Sequence, residues 1–116
     1  MNVVDCLMLP YGLVAAGLIV AVFTVPARAA DDLTLTIRDH RYDPQELTVP
    51  ANTKVKLVVK NLDATPEEFE SFDLNREKVV GAGAQIEVFV GPLEPGKYEF
   101  FGDFHQDTAR GHLIAK

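Results

Sequence analysis

Leu33-Thr34-Leu35-Thr36-Ile37-Arg38 alternates apolar and polar side chains without a break. A strand sends successive side chains to opposite faces, so such a run has one side for a core and one for water. The same period recurs further on. Val55, Leu57 and Val59 alternate with Lys54, Lys56 and Val58, and Ile86, Val88 and Val90 alternate with Gln85, Glu87 and Phe89. Turn-forming residues separate the runs, at Asp43-Pro44, Pro50-Ala51-Asn52, Asn61-Leu62-Asp63, Gly81-Ala82-Gly83 and Glu94-Pro95-Gly96. Two more strands are expected over Tyr98 to Phe101 and His112 to Ala115. No window supports a helix of useful length. The pattern predicts an all-β, antiparallel Greek-key sandwich of six to eight short strands, with Tyr42, Phe69, Tyr98, Phe101 and Phe104 in its core.

The N-terminus reads differently. Leu13 to Val25 is an apolar run followed by Pro26 and the small-x-small triplet Ala27-Arg28-Ala29, which is the pattern of an export signal cleaved after Ala29. The segment before the run, Met1 to Gly12, departs from that pattern, with no Lys or Arg and with Asp5; an uncleaved membrane anchor is the alternative, since Leu7 to Val25 is nearly long enough to span a bilayer despite Pro10 and Gly12. A signal-peptide helix within residues 1–29 and one domain over residues 30–116 are therefore expected, with a periplasmic location. Removing 29 of 116 residues leaves 87, enough for one small domain. The formal net charge of −6 is unchanged by that cut, since it takes away only Asp5 and Arg28. An acidic surface argues against nucleic acid and anionic lipid and suits cations or a basic partner.

All the sulfur lies at Met1, Cys6 and Met8, within the expected signal. Small exported domains often add disulfides to a thin core, and this one has no cysteine with which to do so. Any metal chemistry of residues 30–116 must use imidazole and carboxylate. His105 lies in the polar stretch Gly102-Asp103-Phe104-His105-Gln106-Asp107, where Asp103 or Asp107 could join it as a ligand or orient its ring. Glu67, Glu68 and Glu70 put three carboxylates in four residues; in a strand Glu68 and Glu70 share one face, and Glu67 shares the other with Phe69. The bland reading of the three is a solvated acidic edge. His40 and His112 read as structural or surface residues. Ser71 is the only serine and has no nucleophile-elbow glycines around it, so no hydrolase site is expected.

The order of these pieces resembles the cupredoxins. Tyr42-Asp43-Pro44 before Leu47-Thr48-Val49-Pro50-Ala51-Asn52 is similar to their opening, and Val55 to Asn61 to their next strand. Gly91-Pro92-Leu93 and Pro95-Gly96, with Tyr98 and then Phe104-His105, resemble the lead-in to their C-terminal ligand loop. The resemblance implies a cupredoxin-like sandwich in which His105 matches a ligand histidine and Glu67 stands where another histidine is usual. Gly102 stands at the cysteine position, and Thr108, Ala109 and Arg110 cover the methionine position. A blue-copper site requires the thiolate and usually the thioether, so a type 1 centre is not expected.

Thr65-Pro66-Glu67-Glu68-Phe69-Glu70-Ser71, taken with Phe100-Phe101-Gly102-Asp103-Phe104-His105, resembles a narrower group. These are the cupredoxin-like components of bacterial periplasmic iron transport, of the EfeO and FtrB type. That resemblance implies a copper or iron ion as cofactor and a role beside ferrous iron uptake, with at most a ferroxidase-like activity. Its implied partners are a membrane iron permease and a companion periplasmic iron-binding protein. A copper-trafficking protein and a metal-free docking module are the alternatives.

Overall fold

A computed structural model describes Gly12, Gly17, residues 19–24 and residues 33–116. The signal-peptide helix expected within residues 1–29 falls largely outside the described residues, as does the cleavage site. Nine strands follow: β1 (Leu33–Arg38), β2 (Arg41–Asp43), β3 (Glu46–Val49), β4 (Val55–Asn61), β5 (Glu67–Ser71), β6 (Arg76–Val80), β7 (Gln85–Val90), β8 (Gly96–Phe101) and β9 (Arg110–Ala115). A single 3-10 turn, Asp103–His105, lies between β8 and β9.

The strands form two sheets, ordered β2-β1-β4-β7 and β3-β9-β8-β5-β6. Leu35 and Ile37 from β1, Leu57 and Val59 from β4, and Val88 and Val90 from β7 bury one face of the first sheet. Phe69, Val80, Phe100 and Leu113 answer from the second. Tyr42 joins them, its ring edge-on to Phe100 with centroids 4.8 Å apart. Such edge-to-face packing lets the positive rim of one ring meet the negative face of the other.

Three expectations need correction. The sandwich is not wholly antiparallel: β1 runs parallel to β4, and β3 parallel to β9. Between β1 and β4 the chain crosses to the opposite sheet to lay down β3, and so returns in the same direction. The described residues hold nine strands rather than six to eight. β2 is only three residues long, and β6 is an edge strand whose Arg76, Glu77, Lys78 and Val79 are all exposed and lack the expected alternation. A charged edge of this kind blocks pairing with other chains. Finally, Phe104 is exposed at the crest of the 3-10 turn and Tyr98 is only partly buried, while Phe100 takes the central core place.

Candidate metal centre

β1 and β2 are joined by two residues, Asp39 and His40, whose φ values of 52° and 57° are both left-handed. With Arg38 paired to Arg41 across the hairpin, this is the two-residue loop whose twist suits adjoining strands. Neither residue is glycine, so the turn is held in place from outside. Asp63 does this: its Oδ1 accepts from the Asp39 amide at 2.7 Å and its Oδ2 from the His40 amide at 3.0 Å. Burial pushes the Asp63 carboxyl up, but those two amides and the nearby His40 ring together hold it below the usual carboxylate value. On the other side, the Thr108 hydroxyl donates to the His40 carbonyl at 2.6 Å.

The turn aims His40 at Glu67, the first residue of β5. Glu67 is fully buried, an uncommon place for a carboxylate without a partner. Its partners are two imidazoles. His40 Nδ1 lies 2.5 Å from Oε1, and His105 Nδ1, from the 3-10 turn, lies 3.1 Å from Oε2. The rings stack with centroids 3.5 Å apart and planes 16° from parallel. The hydrogen bond to Glu67 is the chief cause that raises the His40 pKa above its ordinary value.

One ligand atom from each of His40, Glu67 and His105 lies within 4.8 Å of the others. Two imidazoles and a carboxylate are good donors for a divalent transition metal, and two-histidine-one-carboxylate sets suit non-haem iron(II). The His40 and His105 side chains keep 40 % and 34 % of their exposure, against 0 % for Glu67. The cluster is thus closed below and open above, beneath a shallow depression lined by His40, Asp103, Phe104, His105, Gln106, Asp107 and Thr108. No sulfur atom lies among the described residues, so the cluster offers only nitrogen and oxygen donors.

The six residues singled out from the sequence separate in space. His105 and Glu67 come together. Glu68, Glu70 and Asp103 form a second group with ligand oxygens within 4.8 Å of one another. Asp107 lies on the rim of the depression and belongs to neither group. The solvated-edge reading of the glutamates does not hold, because β5 lies between β8 and β6 and buries both Glu67 and Glu68. His40, set aside as structural or surface, sits against Glu67. The signal for it was available: two residues between a clear strand and Tyr42-Asp43-Pro44 mark a tight hairpin, and histidine tolerates the left-handed region better than most residues. His112 lies 4.0 Å from Glu99 on β8 and takes no part in the cluster.

Gly102 lets this loop approach. A Cβ there would come within 3.0 Å of the Glu68 carbonyl oxygen and 3.2 Å of the Ala109 side chain. The 3-10 turn can therefore lie close to β5, with His105 at one end facing Glu67 and Asp103 at the other facing Glu68 and Glu70.

The two-sheet sandwich is the fold of a known family. The sequence model of the cupredoxin-like domain matches residues 12–115, and the chain belongs to that family. It is 52 % identical over 83 residues to an uncharacterized protein, RP394, of Rickettsia prowazekii (strain Madrid E), an alignment that covers 72 % of this chain and 66 % of that protein. Among solved structures it is similar to amicyanin from Paracoccus versutus, with a TM-score of 0.61 and 20 % identity over 76 % of this chain and 84 % of that one. It is also similar to the metal-binding domain, with Cu(I), of the Cu(I)-exporting P-type ATPase CopA of Streptococcus pneumoniae D39. There the TM-score is 0.65, with 11 % identity over 73 % of this chain and 84 % of that one. At these identities the likeness speaks for the fold.

Proposed function

We propose that this chain is an exported, periplasmic cupredoxin-like protein that binds a copper or iron ion through His40, Glu67 and His105 and assists ferrous iron uptake. One observation carries the metal reading: a fully buried carboxylate whose two oxygens each face an imidazole nitrogen, with all three donors in reach of one ion. Copper binding by amicyanin and by the CopA domain accords with it. The iron preference rests on the absence of thiolate, since hard oxygen and imidazole donors favour Fe(III) and tolerate Cu(II).

A bound ion would supply Lewis acidity and a one-electron couple at the open face. The residues contribute the rest. Glu67 provides negative charge from a position that water does not reach. Asp63 and Thr108 fix the strained turn that carries His40, and the 3-10 turn fixes His105. For Nδ1 of either ring to ligate, its proton must move to Nε2 or leave, and a ring that is imidazolium releases a proton to the solvent; the raised pKa of His40 enlarges that share.

The test is calorimetric titration of the purified protein with Cu(II), Fe(II) and Fe(III), beside His40→Ala and Glu67→Gln. Binding of none of the three would leave the metal-free docking module as the better reading. For the cellular role, deletion of the gene is expected to impair growth when Fe(II) is scarce and to leave copper tolerance nearly unchanged. Copper sensitivity with normal ferrous uptake would replace the iron reading with copper trafficking.

A further inference from the structure

We infer that Glu68, Glu70 and Asp103 form a second cation site, all oxygen and distinct from the histidine cluster, that takes a hard ion of high charge. The proposal goes beyond the function argued above and stands or falls separately from it. Strand alternation puts Glu67 on one face of β5 and Glu68 with Glu70 on the other. The 3-10 turn then serves both faces, with His105 on the first and Asp103 on the second.

An acidic cluster alone would mean little, and a second observation sets this one apart. Glu68 is 4 % exposed, and its Oε1 is buried with no hydrogen-bond donor. Leaving a buried carboxylate oxygen unsatisfied is costly, and such atoms normally have a partner. Around it the structure places more negative charge. Ligand oxygens of Glu70 and Asp103 lie within 4.8 Å, and Glu77 sits opposite Glu70 in the β5–β6 register. Among the described residues no Lys or Arg pairs with Glu68, Glu70 or Asp103. One neutral donor enters, as Gln106 Nε2 donates to Asp103 Oδ1. Three carboxylates, one of them buried with an unsatisfied oxygen, are the ligand set of a hard cation, and a trivalent ion matches the charge they carry when all three are ionised.

Terbium(III) is the probe. It seeks oxygen ligands, and tyrosine sensitises its emission. The chain has no Trp, and the Tyr42 hydroxyl donates to the Glu68 carbonyl at 2.6 Å, so the donor ring adjoins the site. The expected result is one equivalent of tyrosine-sensitised terbium per chain. Its affinity should fall on the order of tenfold or more in Glu70→Gln and in Asp103→Asn. It should persist in the double variant His40→Ala/His105→Ala and in Glu46→Gln, a carboxylate elsewhere on the surface. Glu70 and Asp103 are not core residues, so their variants should remain folded, as circular dichroism can check. Absence of sensitised emission, indifference to Glu70→Gln and Asp103→Asn, or loss in the histidine double variant would each overturn the site. Displacement of terbium by equimolar Mg(II) would overturn the preference for high charge.

Discussion

His40 and His105 stack face to face at 3.5 Å, although 65 positions separate them in the chain, and each points a ring nitrogen at one oxygen of Glu67. The stack closes two sides of the cluster and leaves its top to solvent. Two imidazolium ions stacked at this distance would repel each other, whereas one shared cation can take a lone pair from each neutral ring. The pairing therefore suits metal capture better than it suits a purely structural role.

This arrangement ranks the histidines. His40→Ala and His105→Ala are each expected to weaken Cu(II) binding by more than the roughly 10- to 100-fold of an outer-shell change, because each removes a direct donor. His112→Ala is expected to leave binding within a few fold. Titration of the three single variants decides the matter, and equal losses from all three would show that the centre lies elsewhere.

Much of the fold was legible because period-two alternation is the direct imprint of a half-buried strand. β1, β4, β7, β8 and β9 each carry it or are bounded by clear turns. β6 was not legible, since an exposed edge strand needs no apolar face. The parallel pairings were hidden too, because alternation records which face is buried and not which strand lies alongside. At the site, Glu67 and His105 stood out by residue type in a sulfur-free domain. His40 did not, because Arg38-Asp39-His40-Arg41 reads as a charged surface turn until Asp63 and Glu67 are known to lie beneath it.

Two titrations should shape the pH response of the metal-free protein. Burial, then a hydrogen bond with Glu70 and repulsion from Glu70, Glu77 and Asp103, push the Glu68 carboxyl from 4.5 to about 7. The folded state thus holds a proton that the unfolded state has released, so this group's contribution to stability is full below about 4.5 and is lost as pH rises through about 7. His40, with its pKa raised above 6.5, acts in the same sense: its contribution is full below 6.5 and is lost through its higher folded value. Denaturant midpoints should therefore fall between pH 5 and pH 8. Glu68→Gln should remove most of the carboxyl part of that slope and stabilise the protein at pH 8 by about 1–3 kcal/mol. A midpoint that rises across this range would contradict the buried position of Glu68.

Metal binding should show the opposite slope. Protons compete with the ion for His40, whose affinity for them is raised by Glu67, so apparent Cu(II) affinity should decline as pH falls through the neutral range. In calorimetry, the heat of Cu(II) binding should vary with the ionisation enthalpy of the buffer, reporting proton release. Buffer-independent heats at pH 6.5 would argue against imidazole ligation.

Gly111 tests the core beneath the ligand loop. A Cβ at this position would lie 2.5 Å from Phe100 Cζ and 2.6 Å from the Gln45 carbonyl oxygen, on one side a fully buried ring and on the other a backbone atom. Neither can retreat without moving a sheet. Gly111→Ala is expected to destabilise the protein by roughly 1–3 kcal/mol through overpacking. A thermal midpoint within a degree of the parent would show that β9 has room to shift.

The colour of the copper form follows from the donor set. Intense blue absorption requires charge transfer from a thiolate to Cu(II), and residues 30–116 contain no sulfur at all. With Cys6 replaced by Ser to remove the one thiol elsewhere in the chain, the Cu(II) protein should show only weak ligand-field bands. Its electron-spin-resonance spectrum should carry the wide copper hyperfine splitting of nitrogen and oxygen ligands, because little unpaired spin can delocalise onto such donors. Superhyperfine structure from the two imidazoles should simplify in His40→Ala and again in His105→Ala. A strongly blue sample with narrow hyperfine lines is the outcome that this ligand set forbids.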